Sequence, residues 1–168
     1  VMGPAIIGIP ILVKLYLGGD ASDFALVEAY LGLGMLLGTA IVYGIGSRVT
    51  HGLLFLLGLF IDGASFCLYY FVESMDQLNF FSILHGVGIP FLIISRVSIM
   101  QKHIPEKMLG RIFAIISISI LSMTAVSSGM IGVMAEFFAI KTIFLIFGIL
   151  AGACGIAGLM HPKIKYLN

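Results

Sequence analysis

The sequence predicts an all-α polytopic membrane protein with six transmembrane helices, and three observations carry that expectation. Of 168 residues, 60% are hydrophobic and only 10% charged, with a mean hydropathy of +1.16; a soluble domain of this length carries far more charge. The apolar residues form long runs of Leu, Ile, Phe, Gly and Ala without the period-two alternation of barrel strands. The charges fall between these runs, most densely over 101–111, QKHIPEKMLGR.

That polar stretch orients the chain. Lys102, Lys107 and Arg111 outweigh Glu106 there, so the positive-inside rule places it in the cytoplasm. Pro105 stops a helix arriving from the N-terminal side, and Gly110 and Arg111 open the next apolar run, so the stretch reads as a joint between two spans.

In chain order, six runs reach or approach the roughly 20 apolar residues that a crossing needs. The first, about 1–17, is short and holds Pro4 and Pro10, which predict a bent helix, with Lys14 near its far end. The second, about 24–46, carries GLGMLLG, whose Gly34 and Gly38 form a small-xxx-small packing face. After a short loop with Arg48, the third spans about 51–71 and contains Asp62. The fourth, about 80–100, holds His85 and then Gly86, Gly88 and Pro90, which predict a kink, with Arg96 near its inner end. The fifth, about 112–136, has small residues that include Gly129 and Gly132; the sixth, about 142–160, places Gly148 and Gly152 at packing spacing. The whole chain, 1–168, reads as one six-helix domain and as a piece of a larger protein.

Counting by side, Arg48, Lys102, Lys107, Arg111, Lys163 and Lys165 face Lys14 and Lys141, and Asp20, Asp23, Glu73 and Asp76 fall with the latter pair. Both termini are therefore expected in the cytoplasm, with the protein in the plasma (inner) membrane. A net charge of +1 points to no nucleic-acid partner. Cys67 and Cys154 lie within apolar runs and pack as small hydrophobes. No nucleophile–base constellation, phosphate loop or metal-ligand spacing is present, and His51, His85, His103 and His161 are scattered. These features predict no enzyme, no metal and no cofactor.

At this point the residues resemble the C-terminal half of a major facilitator superfamily transporter, in the efflux branch of macrolide and siderophore exporters. The resemblance covers nearly the whole chain. It rests on PILVKLYLGGD with the later LGLGMLLG, on the loop after the second run, and on QKHIPEKMLGRIFA, where Gln101, Pro105, Gly110 and Arg111 match the family pattern. The loop after the second run departs from the pattern: Ser47 precedes Arg48 where an Asp is usual, and Thr50 follows where a Gly is usual. The resemblance implies export of a small amphipathic or hydrophobic molecule by alternating access, at a site shared with a missing N-terminal half or a second copy. Membrane lipid and that small molecule are the other partners implied. A half-size transporter working as a homodimer, or a non-transporting membrane assembly protein, stands as an alternative.

Ionisable groups inside a span mark function or pairing. Asp62 is the deepest carboxylate; it either binds a proton that drives efflux or pairs with a polar neighbour to hold the bundle. His85 either switches with pH or sits as a neutral, hydrogen-bonded imidazole. Gln101, Arg111 and Arg48 are inner-gate candidates, Arg111 by bridging to an inner helix end, against simple topological anchoring. The glycine faces serve close packing, with sliding during transport as the alternative.

Overall fold

The computed structural model describes residues 3–161 together with Ile164 and Leu167, and the described residues are helical with no strand among them. Five helices are long and apolar enough to cross a membrane: α2 Ala21–Ile45, α3 His51–Tyr69, α4 Met75–His103, α5 Glu106–Phe137 and α6 Ile140–Leu159. The first helix, α1 Pro4–Tyr16, is shorter than a crossing requires. A sixth full span is therefore not present among the described residues. Lys163 and Lys165, counted above on the basic side, lie outside them.

Proline shapes α1. Pro10 has no N–H for the turn before it, and the helix is α-wound only over Ile9–Ile11, with wider π-wound turns at Pro4–Gly8 and Leu12–Tyr16. Leu17 N closes the second of these on Leu12 O at 3.2 Å. Gly18, at φ 66°, then turns the chain in the left-handed region open to glycine. Asp20 caps α2 in a reciprocal box: its carboxylate accepts from the backbone of Ser22 and Asp23, and Asp23 accepts from Asp20 N at 3.0 Å. Thr50 and Ser74 cap α3 and α4 in the simpler way, accepting from Leu53 N and Gln77 N, each at 3.3 Å.

The polar stretch 101–111 is not a loop. Gln101, Lys102 and His103 finish α4, and α5 starts at Glu106, so only Ile104 and Pro105 interrupt helix. Lys, Glu, Met, Leu and Arg all favour helix, and polarity marks where the helices leave lipid, not where they end. The expected boundaries at 100 and 112 move accordingly. Pro90 likewise lies within the continuous α4.

The tight seams are α2 on α4, α3 on α4 and α3 on α6, while α1 packs on α5 and α6. Glycine contributes to all three, most closely to the first and third. Gly34 and Gly38 press on the carbonyls of Ile83 and Val87, and Gly86 presses back on Leu31 O. Gly63 rests on Gly148 and Gly152, and Gly148 on Cys67. In lipid, where burying apolar surface supplies no drive between helices, such close backbone approach is what holds them together. Gly129 and Gly132, expected at a packing face of the fifth span, face open space with nothing within 4 Å of a would-be Cβ. Their helix accounts for this, since Ile131 is the only buried residue of α5.

The main core gathers at one end, from Leu12 and Val13, Val27, Phe66, Tyr69 and Val72, Leu78, Ile131, and Ile143 with Phe144. This is the end of the acidic connections. Lys141 fastens it: its Nζ donates to Val72 O at 2.5 Å and stands 5.4 Å over the Tyr16 ring. The opposite, basic end has only a small cluster of Val42, Leu54 and Phe91.

Candidate functional site

Two helical faces build the candidate site. On α3, Asp62, Phe66 and Tyr69 recur at i, i+4 and i+7; on α4, Leu78, Ser82 and His85 do the same. The helices run antiparallel, so Asp62 meets His85 and Tyr69 meets Ser82. Gly88 permits the approach, since a Cβ there would stand 3.3 Å from Asp62 N and 3.4 Å from Gly58 O.

Asp62 Oδ1 lies 3.0 Å from His85 Nδ1, and the residues are only 3% and 4% exposed. The contact has the distance of an ion pair without the alignment of a hydrogen bond, and Nδ1 has no better-aligned partner. Phe66 lies edge-on to the imidazole at 5.0 Å between centroids, and Phe144 of α6 closes over Phe66 and Tyr69 at 5.5 and 5.2 Å. Ser82 Oγ donates to Leu78 O at 2.8 Å, which leaves it to accept from Tyr69 Oη at 3.3 Å. Asp62 and His85 are thus brought together and sealed behind aromatic rings.

Chemically, such a pair holds one proton between carboxylate and imidazole at no net charge. A second proton, or the loss of the first, would leave an uncompensated charge inside the bundle, which is costly unless water or a partner reaches it. The site can therefore either lock two helices or carry a proton when it is opened.

The gate candidates stand apart from this pair. Arg111 is exposed and forms no ion pair or hydrogen bond among the described residues, so no bridge to an inner helix end is made among them. It is also not at a helix start: α5 begins at Glu106, and the dipole's opposition to a cation fades beyond the first turn. Gln101 and Arg48 are exposed. Among the described residues no three histidine, cysteine or carboxylate side chains gather as a metal ion needs.

Sequence reasoning missed Tyr69 and Ser82, although their i+7 and i−3 spacing from Asp62 and His85 was the available signal. It also passed over Glu28, an exposed carboxylate inside the second apolar run, and Ser95, fully buried with no hydrogen-bond partner for its hydroxyl. No protein-family model matches the chain, and no curated protein matches it at a significant level.

Proposed function

We propose that the chain is the C-terminal half of a secondary efflux carrier of the major facilitator type, exporting a small amphipathic or hydrophobic molecule by proton-coupled alternating access. One observation carries the reading: the pattern of helix packing. Exchange helices one, two and three with four, five and six, and α2 on α4 becomes α5 on α1, α3 on α4 becomes α6 on α1, and α3 on α6 is its own image. Two further pairs in contact, α4 with α5 and α5 with α6, are consecutive in the chain. In a six-span reading, triplets with an odd number of helices enter from opposite sides, and this pairing, with slighter contacts for the short first helix, is the one that an inverted three-plus-three repeat of such carriers would give.

The uncovered helices support it as well. α5 has a single buried residue, yet its lipid-depth surface carries exposed Ser117, Ser119 and Ser122 with Gly129 and Gly132, small and polar groups that suit a helix partner or an aqueous cavity better than lipid. A second six-helix half, whether in the same chain or a second copy, would cover them. In this reading both termini lie in the cytoplasm and the carrier works in the plasma (inner) membrane.

Asp62 and His85 are the coupling candidates. Their burial favours a second reading beside the first, in which the pair only holds α3 to α4 and the protein serves assembly without transport. Proton-driven efflux in the complete protein separates the two. In the carrier reading, Asp62→Asn uncouples export from the proton gradient while the protein still reaches the membrane; efflux that responds to the gradient as before sinks the coupling role. The native mass, detected with an antibody to the tail, is the companion measurement. A product of about twice this length fits a two-half carrier; one near 18.0 kDa makes a homodimer the form to test.

A further inference from the structure

Two cavities at the basic end adjoin each other through shared walls. One, of about 400 Å³, is lined by the α2–α3 turn with Arg48 and His51, and by Lys102 at the end of α4. The other, of about 260 Å³, runs along α2 past Thr39, Val42 and Tyr43, with Leu54 and Ile94 opposite. Gly46, Ser47 and His51 belong to both, so they form one cleft with a basic mouth and an apolar limb.

The charge in the mouth is unanswered. Among the described residues no carboxylate lines either limb, and neither Arg48 nor Lys102 forms an ion pair. His51 Nδ1 is buried without a hydrogen-bond partner. The helix N-terminus beside them is already occupied: Gly52 N donates to Leu167 O at 2.8 Å, Leu53 N to Thr50 Oγ1 at 3.3 Å and Leu54 N to Thr50 O at 3.0 Å. Recognition of an anion there falls to the side chains. The apolar limb leads from the mouth about two turns back along α2, away from the polar end and into the depth of the bilayer.

We infer that this cleft binds one anionic phospholipid, the headgroup phosphate against Arg48, Lys102 and His51 and an acyl chain along Thr39, Val42 and Tyr43. A soluble phosphate would use only the mouth, and a neutral hydrophobe only the limb; a molecule with both parts joined fits the whole. Anionic lipid is concentrated in the cytoplasmic leaflet, which is where the positive-inside rule places this end. Exposed Tyr43 supplies an amphipathic ring beside the cleft, at the level where headgroups meet chains. The inference rests on membrane insertion and not on the carrier reading.

Native mass spectrometry of the full purified chain in detergent tests it, with dioleoyl phosphatidylglycerol and dioleoyl phosphatidylcholine as probes. At roughly fivefold per basic residue near a lipid surface, the two fixed cations give phosphatidylglycerol a preference of roughly 25-fold. R48Q/K102Q should abolish that preference while leaving helicity unchanged, since both side chains are exposed. T39W should fill the apolar limb and weaken phosphatidylglycerol without altering the mouth. Equal binding of the two lipids, a preference that survives R48Q/K102Q, or binding untouched by T39W would overturn the assignment. So would displacement of the lipid by inorganic phosphate at equal concentration, which would make the site one for the free ion.

Discussion

The contact between Asp62 and His85 sets a sharp test of what holds α3 to α4. At an effective dielectric of about 20, unit charges 3.0 Å apart attract by about 5.5 kcal/mol. Desolvation of two groups that are 3% and 4% exposed cancels much of that, so the net contribution of the intact pair is small. The cost appears when one partner is removed. Asp62→Leu leaves the imidazole buried opposite a hydrocarbon, and His85→Leu does the same to the carboxylate; each should destabilise the bundle by about 3–5 kcal/mol. Asp62→Leu/His85→Leu replaces both by apolar groups of comparable size, and should fall within about 1.5 kcal/mol of the parent. Reversible unfolding in mixed micelles, followed by circular dichroism, gives the four free energies of the cycle. If the double variant is as unstable as the sum of the singles, the two residues act independently, and the argument that they form one coupled unit fails.

Other outcomes follow from the same geometry. Gly34→Ala or Gly38→Ala drives a methyl group into a facing carbonyl and should cost about 1–3 kcal/mol by overpacking, while Gly129→Ala and Gly132→Ala, which meet open space, should be neutral or stabilise by up to about 1 kcal/mol in this chain; the same micelle unfolding assay ranks them. Lys141→Met removes the charged donor from Val72 O and should cost about 1.5 kcal/mol, with faster amide exchange in the connection after α3 as the local sign. Hydrogen bonds from the Ser22 side chain and from the backbone of Asp23 and Ser22 hold the Asp20 carboxyl below its ordinary value. A depressed acid stabilises above the unfolded value and loses that contribution as pH falls through the folded one. The protection of the Ser22 and Asp23 amides, measured relative to their intrinsic exchange at each pH, should therefore fall on acidification below about pH 4, and Asp20→Asn should remove the dependence.

Much of the fold was legible because membrane helices announce themselves by composition. Five spans fall within a few residues of where the apolar runs place them, except where polar helix formers extend α4 and α5 through 101–111. Gly34 and Gly38 were readable from i, i+4 spacing, but their partners Ile83, Val87 and Gly86 were not, since nothing local says which helix a face will meet. The same limit hid the candidate site. Asp62 and His85 stood out as ionisable groups inside spans, yet their meeting depends on two helices lying antiparallel in one register, a fact of tertiary packing. Gly129 and Gly132 show the converse: small residues at good spacing signal that a face is smooth, not that this chain supplies the neighbour.

The concentration of packing at the acidic end has a mechanical consequence. A helix held at one end behaves as a cantilever. α5 has 32 residues, a length of about 48 Å, and its single buried side chain, Ile131, lies near the clamped end. The far tip, with Glu106, Lys107 and Arg111, is tied to α4 through Ile104 and Pro105, and a tilt of about 5° about Ile131 would carry Glu106 by about 3 Å. Small angular play beside Ile131 is thus amplified at the charged tip, and movement of that tip is passed directly to the end of α4 through Ile104 and Pro105.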